Sequence, residues 1–406
     1  MQIWRKFSQI LTLDKAAKKD GRNLIPTDIS TIQNASVVFD DETIHWIGED
    51  NDLPEKYLNI KSKSFEGHVL TPELVDGHTH LLFGGDRSLE YSMRLNGADY
   101  AEIAKTNGGI LSTMRETNIL ESEKLFKVCI ERIKTLINHG VGTIEIKSGY
   151  GLSFQKEYEL SHIIYQLKQY FAPQVNIINT YMAAHAVPKE FLSSVDYMDK
   201  VVLPLMDKLN QEEIIDCVDI FHENGYFTYN DTEKLFDHAI KLGLPFKSHA
   251  DEFSDNKGAL LAATKGALSA DHLLCTSKDG ISALAKSKTV ATLLPGTGFF
   301  LGKQQANARD FLDNGVRLSL ATDYNPGSCH CDNLMMIASI AAPTLKLNQT
   351  ELWSAITLNA AHAVGLTNQG AIVKGLAPRF SLFKAKNIDQ ITYHWGKNLA
   401  VNISKL

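Results

Sequence analysis

The spacing of apolar and polar residues changes character near residue 67. Around 37–48 the run Val-Val-Phe-Asp-Asp-Glu-Thr-Ile-His-Trp-Ile-Gly predicts two short strands about an acidic turn, and the chain up to residue 66 reads as all-β. From Gly67 onward, short apolar strands alternate with stretches of helical period. Eight strand candidates fall at 69–82, 142–147, 175–184, 217–221, 245–249, 267–272, 290–294 and 316–322. Helical spacing marks intervening segments such as 121–138, 233–242 and 332–347. Eight βα units in this length predict a (β/α)₈ barrel. The tail turns strand-like again at 371–373, 380–383 and 391–394, so the two chain ends are expected to pair into a small β domain beside the barrel.

Composition narrows the function. In 406 residues, 41 Lys plus Arg face 47 Asp plus Glu, a mild acidity that argues against nucleic-acid or membrane-surface partners and for small-molecule chemistry. The start carries Arg5 and Lys6 and only a short apolar stretch before Asp14 and Lys15, unlike a secretory leader, and no eighteen apolar residues run together. A cytoplasmic protein is the expectation. The five cysteines, Cys129, Cys217, Cys275, Cys329 and Cys331, are odd in number and thinly spread, as reduced thiols would be. The four tryptophans, Trp353 among them, read as core or domain-contact residues.

In a (β/α)₈ barrel the reactive groups sit at the C-terminal ends of strands. The polar residues here fall there: His78 and His80 after the first strand, Lys147 to Tyr150 after the second, His185 after the third, Glu223 after the fourth, His249 and Glu252 after the fifth, His272 after the sixth and Asp323 after the eighth. His78 and His80, two residues apart, share one face of a strand and can reach one ion. With His249 and Asp323 they make a credible set for zinc or another divalent transition metal. Such an ion lowers the pKa of a water from about 16 to near neutrality, which points to hydrolysis. Glu252 and His272 are then the candidate proton shuttles.

The segments Leu70-Thr-Pro-Glu-Leu-Val-Asp-Gly-His-Thr-His-Leu-Leu-Phe-Gly-Gly-Asp-Arg87, Lys147-Ser-Gly-Tyr-Gly-Leu152, Ala184-His-Ala-Val-Pro188, His249-Ala-Asp-Glu252, Ser269-Ala-Asp-His-Leu273 and Ala321-Thr-Asp-Tyr-Asn-Pro-Gly-Ser328 resemble the imidazolonepropionases, of the metal-dependent amidohydrolase superfamily. The resemblance covers nearly the whole chain. It implies a distorted (β/α)₈ TIM barrel over 67–365 and a small β-sandwich-like domain from 1–66 and 366–406. The implied reaction belongs to histidine degradation: water opens the ring of 4-imidazolone-5-propanoate to give N-formimidoyl-L-glutamate. One divalent or trivalent ion per chain, zinc or iron, is implied at His78, His80, His249 and Asp323. Arg87 matches the anchor of the propanoate carboxylate, a role suited to a planar, always charged fork. Tyr150, His185 and Glu252 match positions that contact the imidazolone, and Asn325, Gly327 and Ser328 match positions that hold the product. Gly327 is expected to let ligand approach the backbone. Glu252 or His272 would take the water proton, with Asp323 sharing protons between ion and leaving nitrogen. Pairing as a homodimer is also implied.

Two segments depart from the family pattern: Pro378-Arg379-Phe380 in the small domain, and Ser328-Cys329-His330-Cys331, read as reduced loop thiols and not as a second metal site. No lysine suits a bridging position on the fourth strand, so a mononuclear site is expected, with Glu223 the open question. The alternative within the superfamily is a purine or pyrimidine deaminase, against which Arg87 and Tyr150 argue. A catalytically silent barrel is disfavoured because every proposed ligand and shuttle is present. No Gly-x-Ser-x-Gly elbow points to a covalent nucleophile.

Overall fold

The structure, a computed structural model, describes residues 1–97 and 108–403. The parts of the expected units at 98–107 and 404–406 lie outside the described residues. Two sheets organise the chain. One has strands β1 (Gln2–Leu11), β2 (Thr31–Phe39), β3 (Ile44–Glu49), β4 (Ser62–Ser64) and β5 (Val69–Pro72), together with β14 (Phe380–Phe383) and β15 (Ala400–Val401). Its order is β15-β14-β5-β1-β2-β3, with β4 beside β1, so both ends of the chain meet in it. Trp4, Phe39, Phe65 and Phe380 form its aromatic core, Trp4 meeting Phe39 edge to face at 5.1 Å.

The other sheet is the barrel: β6 (Leu74–Asp76), β7 (Val141–Lys147), β8 (Asn176–Ala184), β9 (Cys217–His222), β10 (Ser248–Ala250), β11 (Ser269–His272), β12 (Val290–Leu293) and β13 (Leu318–Leu320), parallel and in sequence order. Alternation explains how a strand such as β7 serves two environments. Ile144 and Ile146 enter the apolar core packed by the helices Ser122–Asn138 and Phe154–Phe171, while Glu145 and Lys147 are buried in ion pairs. The ring closes just past the strand ends: His80 N donates to Tyr324 O and Asp323 N donates to His78 O, both at 3.0 Å. Thr322 Oγ1 adds a bond to Asp76 Oδ2 at 2.7 Å.

Three expectations are corrected. The strand expected at 69–82 is two strands that serve different sheets, parting at Glu73, whose N–H bonds Arg379 O. Of the segment expected as strand at 391–394, residues 391–393 belong to the helix Ile388–Tyr393, capped by Asn387; Ile388 and Ile391, one helical turn apart, are the buried pair. Residues 371–373 are not a strand, although Ile372 N bonds Thr12 O. Trp353 is fully buried as expected, whereas Trp395 is 56% exposed. Among the described residues no helix is long and apolar enough to cross a membrane.

Candidate active site

The strand ends bring the expected ligands together. One nitrogen each from His78, His80 and His249, all buried, lie within 4.8 Å of one another. The Nε2 atoms of His80 and His249 are 3.2 Å apart. Asp323 Oδ1 stands 3.5 Å from His78 Nε2 and 3.7 Å from His80 Nε2. Burial pushes His78 and His80 well below the ordinary imidazole value, so they present lone pairs. His78 Nε2 is buried without a hydrogen-bond partner, which is costly unless a cation takes it. Nitrogen donors with one carboxylate suit zinc or iron. Asp323 is pushed up to about 6 by burial, against a 2.8 Å hydrogen bond from Thr297.

Above this cluster lies a cavity of about 320 Å³ lined by Arg87, Tyr150, His185, Glu252, His272 and Ser328 among others. Glu252 Oε1 is 3.6 Å from His272 Nδ1. Burial, then Asp323 and Glu223, push Glu252 up to about 8, while burial holds His272 well below its usual value. The two are thus a neutral acid and a neutral base in contact, a disposition suited to passing one proton. His272 and Asp323 both have left-handed backbone, φ 78 and 51, which is costly for side-chain-bearing residues and concentrates at functional sites.

His185 stacks on His80 at 5.0 Å and 19°, and its Nδ1 donates to Gly149 O at 2.9 Å. Burial brings it down to about 4. Gly149, at φ 111, has no room for a Cβ, which would come within 2.9 Å of Met182 O and 3.1 Å of this ring. Tyr150, its hydroxyl raised by burial, has its ring 5.4 Å from that of His185. Arg87 donates from Nε and Nη2 to Glu90 Oε2 at 2.9 and 2.7 Å. Its guanidinium fills the space beside Gly327, so the Arg87 side chain approaches the backbone there. Asn325 spends its amide within its own loop, accepting from Gly327 N and Ser328 N at 2.8 Å and donating to Asp323 O at 2.6 Å. Glu223 is committed elsewhere: its carboxylate accepts from Phe253 N and Ser254 N and braces the loop after β10. Cys329 is buried and Cys331 Sγ lies 3.8 Å from Asn333 O.

Sequence reasoning missed several neighbours. Glu90 sits one helical turn beyond Arg87, and Arg94, one turn further, donates to Gly327 O at 3.1 and 3.2 Å. Arg87, Glu90 and Arg94 at i, i+3 and i+7 form a legible helical face. Asp219 and Asp271, behind His249 and His78, stand in apolar strand runs, where a charge is itself a signal.

A cluster of three imidazoles and an aspartate at the C-terminal mouth of a (β/α)₈ barrel is the setting, and the chain belongs to the amidohydrolase family, whose sequence profile matches residues 69–402. Within it the chain falls among the imidazolonepropionases. It is 38% identical over 393 residues to the imidazolonepropionase of Paracoccus denitrificans, covering 96% of each chain. It is also 38% identical over 398 residues to that of Bacillus velezensis, covering 98% of this chain and 93% of the other. Solved structures share the fold at low identity. The atrazine chlorohydrolase of Arthrobacter aurescens TC1, complexed with zinc, superposes with TM-score 0.66 at 14% identity, covering 96% of this chain and 88% of that one. The guanine deaminase of C. acetobutylicum does so at 0.67 and 15%, covering 94% and 90%.

Proposed function

We propose that this protein is an imidazolonepropionase, which adds water across the ring carbonyl carbon and adjacent nitrogen of 4-imidazolone-5-propanoate and releases N-formimidoyl-L-glutamate. The observation that carries the reading is the 38% identity to curated imidazolonepropionases over 96% of the chain, joined to a cavity lined by Arg87, Glu252 and His272. His78, His80 and His249 through Nε2, with Asp323 through Oδ1, would hold one ion, zinc or iron. When bound, that ion supplies Lewis acidity, which acidifies water and polarises a carbonyl.

The chain's own residues do the rest. Arg87, fixed by Glu90, offers its remaining N–H groups to the propanoate carboxylate. Tyr150 and His185 wall the planar ring, and the 2.9 Å bond to Gly149 O leaves His185 Nε2 directed away from the backbone. One proton leaves the water for the Glu252 and His272 pair and returns to the ring nitrogen as its bond to the carbonyl carbon breaks. Oxygen thereby joins the carbon that becomes a carboxylate, and the nitrogen leaves within the formimidoyl group. We assign the reaction to the cytoplasm, where amino-acid breakdown supplies such substrates.

The test is metal analysis of purified protein coupled to loss of imidazolone absorbance, before and after chelation. About one ion per chain, turnover of imidazolone propanoate, and loss of turnover on chelation are expected. Ammonia release from guanine or cytosine with no imidazolone consumption would replace this reading by a deaminase.

A further inference from the structure

Beneath the imidazoles lies a layer of fully buried charge. His78 Nδ1 is 2.6 Å from Asp271 Oδ2, and Lys247 Nζ reaches the same oxygen at 2.9 Å while donating to Gly77 O at 2.8 Å. In parallel, His249 Nδ1 is 3.2 Å from Asp219 Oδ2, which Lys147 Nζ meets at 2.7 Å. Lys147 also pairs with Glu145 Oε1 at 2.6 Å. Both lysines and all three carboxylates have side chains at most 1% exposed. His80 has no such support: its Nδ1 is buried without a partner, and stacking on His185 sets its ring.

Two ammonium groups inside a barrel are expensive to desolvate, and apolar side chains would fill the same space. Their position is what they contribute. We propose that Lys147 and Lys247 are positioning residues for the metal centre. Each holds in place the aspartate that keeps a proton on Nδ1 of a ligand histidine, Asp219 for His249 and Asp271 for His78, so that each Nε2 faces the ion. Without its lysine, each aspartate loses its nearest countercharge, and relief of that charge draws the carboxylate off the imidazole and frees the ring to turn.

The inference rests on the metal centre proposed above. Its test is a pair of double-mutant cycles on the full-length holoenzyme, read as zinc affinity by chelator competition and as the visible spectrum of the cobalt-substituted protein. Lys247→Met and Asp271→Asn are each expected to weaken zinc by about tenfold and to alter the cobalt bands. Because both act through His78, the double variant should lose no more than the worse single. Lys147→Met with Asp219→Asn gives the matching cycle through His249. Lys247→Gln keeps a donor for Gly77 O but no charge, and carries the same expectation where Lys247→Met fails to fold. Losses that add within each pair overturn the inference. So does a lysine variant with parental zinc affinity and cobalt spectrum and only a lowered Tm. A parent protein that takes up neither metal sinks the centre itself, a different result from any of these.

Discussion

The guanidinium of Arg87 occupies the space that a Cβ on Gly327 would need: built there, that atom would lie 1.9 Å from Nη1 and 2.7 Å from Cζ. The loop at Gly327 and Arg87, the proposed carboxylate anchor, are therefore mutually fitted, and a change in one is felt in the other.

Gly327→Ala should displace the guanidinium while leaving the fold intact. The expected outcome is a KM for imidazolone propanoate raised by about tenfold, equivalent to about 1.4 kcal/mol, with kcat less affected. Steady-state kinetics check it; an unchanged KM would remove Arg87 from the substrate site.

Arg87→Lys keeps the charge but cannot hold Glu90 by two N–H groups and also face the cavity. KM for the propanoate substrate should rise by about ten- to a hundredfold. An analogue with the carboxylate converted to an amide should be nearly indifferent to the substitution. Equal losses for both compounds would show that Arg87 supports the loop and does not read the carboxylate.

Glu252 and His272 are in contact at 3.6 Å and are proposed to handle one proton between them. His272→Asn should lower kcat by about a hundredfold or more. Glu252→Gln combined with it should cost little further, because the two act as a unit. Multiplicative losses in the double variant would assign them separate steps.

His222 is one of several buried histidines, His362 among them, that tie stability to acid. Burial holds His222 at about 4, below the ordinary imidazole value of 6.5, and its Nδ1 has no partner. Between pH 6.5 and 4 the unfolded chain binds a proton here that the folded chain refuses. Stability is thus full above pH 6.5 and is lost as pH falls through that window, by about 3 kcal/mol at its lower end. In the metal-free protein, His222→Leu should show a smaller drop in Tm between pH 7 and pH 4.5 than the parent. Parallel curves would place the acid sensitivity elsewhere.

The site was more legible in the sequence than its supports. His78, His80, His249 and Asp323 declare themselves because a barrel sorts polar residues to one end of every strand, so position within the βα rhythm predicts convergence. Asp219 and Asp271 show only as charges within apolar runs and Lys147 only as one more strand-end polar residue, because their role, like that of Lys247, lies in pairings across strands that no local spacing encodes. The break at Glu73 was hidden for a related reason: 69–72 and 74–76 are equally apolar, and only the partners β14 and β7 tell them apart. In 391–394 a short apolar run fits either period, and the Asn387 cap with Ile388 decides for helix.

Main-chain bonds from Asp323 to His78 and from His80 to Tyr324 join the first stave of the barrel to the last. Three of the four donors, His78, His80 and Asp323, are thus hooks sewn along a single edge-to-edge fastening, and the fourth, His249, stands on β10. No fragment ending before that join can assemble the donor set, and an ion gripping both sides would act as a clasp, resisting the opening of the ring by mass action as well as serving the reaction.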